Sequence, residues 1–184
     1  MPCVILIRMS STNILRALIN LSETLDFTLR TDLKGSNRIT AVGVSLEFFV
    51  RDAFCGSLAI SDLVKKEKIH RQYLSYIGNA NNPPDFIVSG GDAVEVKKIT
   101  SPTSSLALNS SYPKNKIYSD DPLITDACRL CEDKWKEKDF IYAVGVVQDE
   151  NLLSLMFVYG DCYAADKEVY LKTREKIITG VEQT

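Results

Sequence analysis

The stretch from Pro83 to Lys97, Pro-Pro-Asp-Phe-Ile-Val-Ser-Gly-Gly-Asp-Ala-Val-Glu-Val-Lys, constrains the fold more than any other part of the chain. Two short apolar runs flank a Gly-Gly turn, which is the pattern of a β-hairpin, and the two prolines exclude a helix before it. Side chains alternate across a strand, so Glu95 and Lys97 share one face while Val94 and Val96 point into a core. The polar pair is therefore expected to be displayed, not buried. The register decides where Asp85 falls, because opposed residues of an antiparallel pair share a face. A two-residue Gly90-Gly91 turn pairs Asp85 with Val96 and separates the two acids. A three-residue loop, Ser89-Gly90-Gly91 with Gly91 left-handed, pairs Asp85 with Glu95 and Ile87 with Ala93. In that register Phe86, Val88, Val94 and Val96 form an apolar surface, and Asp85, Glu95 and Lys97 gather on the other.

Two carboxylates and the carbonyl of Val96 are hard oxygen donors suited to Mg²⁺, which keeps several waters and takes phosphate oxygens in its remaining positions. A cation so held makes water a better nucleophile, and Lys97 can position that water or stabilise charge on a phosphorane-like transition state. The plain alternative is a solvated strand face with Asp85 as a turn residue. An acid some ten residues ahead of Glu-x-Lys is common by chance, so the motif depends on its context.

Pro-Asp followed by Glu-x-Lys across a hairpin resembles the signature of the PD-(D/E)xK nucleases. The following segment, Leu106 to Ile117, is similar to the stretch downstream of the motif in type II restriction endonucleases of the NgoPII type, as are Gly43 to Asp52 and Phe157 to Asp161. The resemblance spans about residues 10 to 178. It implies an α/β fold with a restriction-endonuclease-like core, a central mixed β-sheet flanked by helices. It also implies a Mg²⁺-dependent enzyme that recognises and cuts double-stranded GGCC, leaving 5′-phosphate and 3′-hydroxyl ends, with Asp85, Glu95 and Lys97 matching the catalytic motif. A cognate DNA methyltransferase is the functional companion of such an enzyme. Family members run beyond Thr184, so a C-terminal part is expected to be missing, and residues 1–8 read as an N-terminal extension before a single endonuclease domain over 9–184.

A chain of 184 residues with 45% hydrophobic residues can bury one core. The apolar run Val4 to Ile7 is too short to span a bilayer, and five cysteines without regular spacing argue against a secreted disulfide framework, so a cytoplasmic location is expected. A net charge of −2 lacks the basic footprint typical of DNA-binding proteins. Basic residues do cluster locally, at Lys65-Lys66-Glu67-Lys68, at Lys97-Lys98, and at Lys114 and Lys116. The first cluster reads as the solvated face of an amphipathic helix.

Helices are expected over Asn13 to Leu25 and Val42 to Phe54, the second with an apolar stripe of Leu46, Phe49, Val50, Ala53 and Phe54. Glu47 lies off its centre. It reads either as an i,i+4 partner of Arg51 or as the helix-borne acid that many PD-(D/E)xK enzymes bring beside the metal. Ile77 to Pro84 reads as a turn-rich linker. The Asn, Ser and Lys residues of the loop after the hairpin, Asn109, Ser110, Ser111, Lys114 and Lys116, together with Lys98, are candidates for contacts to phosphates and base edges; an ordinary capped surface loop is the alternative. A helix from Asp121-Pro122 to about Lys138, strands over Phe140 to Val147 and Leu152 to Tyr159, and a closing helix over Ala165 to Ile178 complete the pattern.

Cys128-x-x-Cys131 has zinc-ligand spacing but no second Cys or His pair. His70 has no Ser or Cys partner in a triad arrangement, and no P-loop occurs. Two other readings stay open: a repair or junction nuclease on the same scaffold, or a non-catalytic DNA-binding remnant. A double-strand cut in a palindrome needs two equivalent sites, which points to a two-fold homodimer with Leu152 to Tyr159 and the helix after it as interface candidates.

Overall fold

The computed structural model describes residues 11–30, 38–79, 81–106 and 112–182. The expected N-terminal extension and the candidate residues Asn109, Ser110 and Ser111 lie outside them. The elements run α1 (Ile14–Ser22), α2 (Arg38–Cys55), α3 (Leu63–Tyr73), β1 (Leu74–Asn79), β2 (Asn82–Val88), β3 (Ala93–Ile99), β4 (Lys116–Tyr118), α4 (Asp126–Arg129), β5 (Glu137–Gln148), β6 (Asn151–Tyr159) and α5 (Lys167–Glu182). Helix starts follow capping chemistry: Asn13 accepts from Arg16 N–H at 3.0 Å, and Asp62 accepts from Val64 N–H at 2.9 Å. No helix among the described residues is long and apolar enough to cross a membrane.

The strands form one mixed sheet in the order β1-β2-β3-β5-β4, with β6 also paired to β5. β3 and β5 are parallel from Ala93↔Phe140 to Ile99↔Val146, and the other pairings are antiparallel. One face, carrying Phe86, Val88, Val94, Val96, Ile141 and Ala143, packs on the α2 stripe of Leu46, Phe49, Val50, Ala53 and Phe54. A cβ on Gly145 would lie 2.7 Å from a Leu46 methyl, so α2 rests on bare strand backbone there. The opposite face carries Ile87, Ala93, Ile99, Phe140, Tyr142, Val144 and Val146, covered by Ile117, Ile124 and Cys128. Both faces are therefore lined with core, which explains why β5 is an almost unbroken buried run rather than an alternating one.

The hairpin has the expected three-residue loop and the expected pairing of Ile87 with Ala93. The left-handed residue is Gly90, at φ 69°, and not Gly91. Gly91 N–H closes on Val88 C=O at 2.8 Å, so Gly90 holds the third position of a four-residue turn, where a type II geometry demands positive φ. Glu132 and Lys138 clamp this turn: Glu132 accepts from Gly90 N–H at 2.9 Å and from Lys138 at 2.7 Å, and Lys138 donates to Gly91 C=O at 3.0 Å.

Three readings change. The supposed linker contains the end of strand β1 and the start of its partner β2, which includes the prolines themselves; they fall beyond the last registered β2–β3 pair, Phe86↔Val94, where the ladder asks no N–H of them. The helix expected from Asp121 to Lys138 is a single turn, α4, because Lys134 adopts φ 53° and Trp135 turns its indole N–H back onto Arg129 C=O at 3.0 Å. The basic cluster on α3 is not uniformly solvated. Lys66 is 4% exposed and reaches inward to Asp52, which is 2% exposed. His70 Nε2 lies 2.8 Å from the same carboxylate, and Ser57 donates to it at 2.5 Å. Ser57 and Asp52 both meet the Nε2 side of His70, within a fully buried cluster, so the arrangement ties α2 to α3 and is not a triad.

Asp52 is thus the shared acceptor of two buried basic side chains. Asp52→Ala strands both and is expected to destabilise the fold by about 3–5 kcal/mol, read as a fall in the urea midpoint, whereas Lys65→Ala on the exposed face of α3 leaves it within about 0.5 kcal/mol. A midpoint for Asp52→Ala equal to that of the parent removes the cluster from the folding account.

Candidate active site

The hairpin ladder stops where the motif begins. The last registered pair is Phe86↔Val94, and continuing the register puts Pro84 opposite Val96. Proline has no N–H to offer. That leaves the Val96 carbonyl without its ladder donor, while Val96 N–H, whose ladder acceptor would be the Pro84 carbonyl, donates to Asp85 Oδ2 at 2.6 Å, a short hydrogen bond to a carboxylate. The N–H and C=O of one strand residue point toward the same neighbour, so the Val96 carbonyl also faces the gap between β2 and β3, away from β5. Asp85, Glu95 and Lys97 lie on one face of this parting, as the sequence suggested.

They are less exposed than the sequence suggested. The Glu95 and Lys97 side chains are 14% and 27% exposed, because Tyr142, paired with Glu95 across β3 and β5, brings the second core layer against them. Lys97 Nζ donates to Glu95 Oε1 at 2.7 Å. Burial opposes the Lys97 charge, but Glu95 and Asp85 more than offset it and its pKa is raised, so the ammonium stays protonated and acts as a donor and not as a base. The Asp85 carboxyl is pushed well above the usual carboxylate range by burial and then by Glu95 and Glu47, against the Val96 hydrogen bond and Lys97. Glu47 is raised likewise by burial, with Arg51 and Lys97 opposing and Glu95 adding to the shift.

Glu47 therefore joins the site electrostatically from α2, and it does so with Arg51, whose charge is also felt by Asp85. Sequence reasoning treated Arg51 as a simple i,i+4 partner; its Nε donates to the Glu47 backbone carbonyl at 3.4 Å and its guanidinium sits over Phe48. Tyr142 was missed, since nothing in the order of strands reveals that β5 is the parallel neighbour of β3. Its hydroxyl accepts from Lys114 N–H at 2.9 Å beside the Tyr163 ring.

The surrounding cations are placed differently from the sequence reading. Lys114 is 2% exposed, its ammonium held 2.5 Å from Asp121 and over the Tyr112 ring, which withdraws it from the surface. Lys116 is bridged to Glu137 at 3.0 Å and Asp139 at 3.2 Å. Lys98 is half-buried and, by alternation along β3, on the opposite face from Lys97.

Among the described residues no group of three or more His, Cys, Asp or Glu is arranged around a common metal position. Two carboxylates and a carbonyl fall outside that requirement, and they are what a hard divalent cation needs when water and phosphate complete its shell. One atom argues directly for such a cation. Glu95 Oε2 is buried and has no hydrogen-bond partner. A carboxylate oxygen left bare beside two other carboxyls fits a cation as its partner.

A family model described as NgoPII restriction endonuclease matches residues 12–184. A protein named Type II restriction enzyme NgoPII, from Neisseria gonorrhoeae, is 45% identical over 170 residues, covering 92% of this chain and 60% of the relative. The chain thus spans about three-fifths of the length of the curated relative it matches. No solved structure matches it. By its residues 12–184 the chain belongs to the NgoPII restriction endonuclease family.

Proposed function

We propose that this chain carries the catalytic centre of a type II restriction endonuclease that hydrolyses phosphodiester bonds of double-stranded DNA with Mg²⁺. The observation that carries the reading is the parted hairpin, which sets Asp85, Glu95, Lys97 and the Val96 carbonyl around one buried, uncompensated carboxylate oxygen. Asp85, Glu95 and the Val96 carbonyl would hold the cation, which supplies charge neutralisation and a more acidic water at the scissile phosphate. Lys97, kept protonated and oriented by Glu95, stands ready to donate to a phosphate oxygen as charge builds there. Glu47, whose carboxyl burial raises, would favour the cation by ionising as the cation binds. The finer features that the resemblance implies belong to the same proposal: GGCC as the sequence cut, 5′-phosphate ends, a homodimer on the palindrome, a companion methyltransferase and a cytoplasmic setting. Lys98, Lys116 and the segment Asn109, Ser110 and Ser111 remain proposed DNA contacts; Lys114 serves through its backbone, holding Tyr142.

Incubation with plasmid DNA and Mg²⁺ followed by end mapping tests the activity. Discrete fragments with GGCC-derived ends are expected, and structure-dependent nicking or binding without cutting overturns the assignment. Glu95→Gln and Asp85→Asn are expected to abolish cleavage with DNA binding retained or tightened, since each keeps shape and removes charge. Lys97→Ala is expected to lower the rate about 10²-fold or more while leaving cation binding largely intact. Normal cutting by Glu95→Gln removes the site.

The raised carboxyls also set a pH dependence. A carboxyl whose native pKa exceeds its unfolded value keeps its proton in the fold after the unfolded chain has lost it. Stability of the cation-free protein therefore falls as pH rises from Asp85's ordinary value of 3.8 through its raised native value, by at most about 1.4 kcal/mol per pH unit for each such group. Mg²⁺ is expected to flatten that fall, and Asp85→Asn to abolish part of it. Thermal unfolding over pH 4–8 with EDTA or Mg²⁺ measures both; identical profiles in the two conditions contradict cation binding at these groups.

A further inference from the structure

A groove of about 630 Å³ runs between α2, α3 and β1, lined by Phe48, Arg51, Glu67, Arg71, Leu74 and Tyr76 among others. Arg51 is in its lining and its charge couples to Glu47 and Asp85, so the groove borders the site carboxylates. Its outer wall is α3. There Arg71 is exposed and, among the described residues, has no hydrogen-bond or ion-pair partner. Lys65 and Lys68 are exposed on the same helix, where Glu67 is the one acid. A concave path with aromatic and aliphatic sides and two guanidinium groups matches the alternation of apolar sugar and anionic phosphate along a nucleic-acid strand. Arginine suits the task because its planar fork can grip two phosphate oxygens at once.

We infer that this groove seats the DNA backbone on one side of the cleaved bond, with Arg51 and Arg71 on successive parts of that strand. The inference rests on the nuclease reading for the identity of the strand, and it adds a place, a direction and a residue, Arg71, that the motif does not contain. Arg71 acts by binding phosphate and takes no part in bond breaking.

The test is binding of a fluorescent generic duplex by the whole chain without divalent cation, over a series of salt concentrations. Each phosphate contact contributes about 0.9 to the slope of log affinity against log salt. Arg71→Ala is expected to bind several-fold more weakly with a slope smaller by about one unit, and Arg71→Glu more weakly again. Arg174→Ala, the same charge change on the exposed α5, is the control and leaves the slope unchanged. Replacing single phosphates of the duplex by neutral methylphosphonates should reveal a position that weakens the parent but costs Arg71→Ala nothing further. An Arg71→Ala slope equal to the parent's, or equal losses for Arg71→Ala and Arg174→Ala, overturns the groove. Failure of the nuclease reading shows separately, as absence of Mg²⁺-dependent cutting by a parent chain that still binds duplex through Arg71.

Discussion

Pro84 cannot donate a hydrogen bond to β3, and much of the site depends on that missing N–H. The missing N–H leaves the Val96 carbonyl without its ladder donor, and the Val96 N–H is taken not by the Pro84 carbonyl but by the Asp85 carboxylate at 2.6 Å. That single contact fixes the Asp85 side chain beside Glu95, turns the Val96 carbonyl into the gap and ends the hairpin as a sheet element. The rest of the hairpin is then built to be rigid. Its turn is clamped by Glu132 and Lys138, and both of its faces are packed, by α2 on one side and by the layer around Tyr142 and Ile117 on the other. A site built on packed strands keeps its donors in place without reorganisation.

The packing has an electrostatic consequence. Acids on a solvated strand would ionise freely and repel each other weakly. Here burial raises Asp85 and Glu47, and the one ammonium nearby, Lys97, is spent on Glu95 Oε1 while Oε2 stays bare. Elsewhere in the same molecule buried charge is compensated: Asp52 by Lys66 and His70, and Lys114 by Asp121. The difference is one of charge: the atom left without a partner in the first cluster is the ring nitrogen Nδ1 of His70, whereas in the hairpin it is a carboxylate oxygen, the donor type that the proposed cation would take.

The hairpin was legible because strand alternation, the two prolines and the length of the glycine loop all limit the register, and only one register puts Asp85 with Glu95. The α2 stripe was legible by its helical period, and β5 and β6 as apolar runs long enough for strands. What the sequence hid was long-range. The parallel pairing that sets Tyr142 against Glu95, the burial of Lys66 and Lys114 by distant acids, and the stop at Lys134 that shortens the helix after Asp121 each depend on partners that no local pattern names. Lysines were the most misleading residues. Their charge suggested surface, whereas long apolar stems let Lys66, Lys114 and Lys138 bury once an acid waited at the end.

The central claim is that a divalent cation sits in the parting of β2 and β3. Crystals of the protein soaked in Mn²⁺ and measured at the manganese absorption edge test it directly. An anomalous peak within coordination distance of Asp85, Glu95 Oε2 and the Val96 carbonyl is expected, and lost in Glu95→Gln crystals. A well-bound peak elsewhere with this gap empty, or a peak that survives Glu95→Gln unchanged, contradicts the claim.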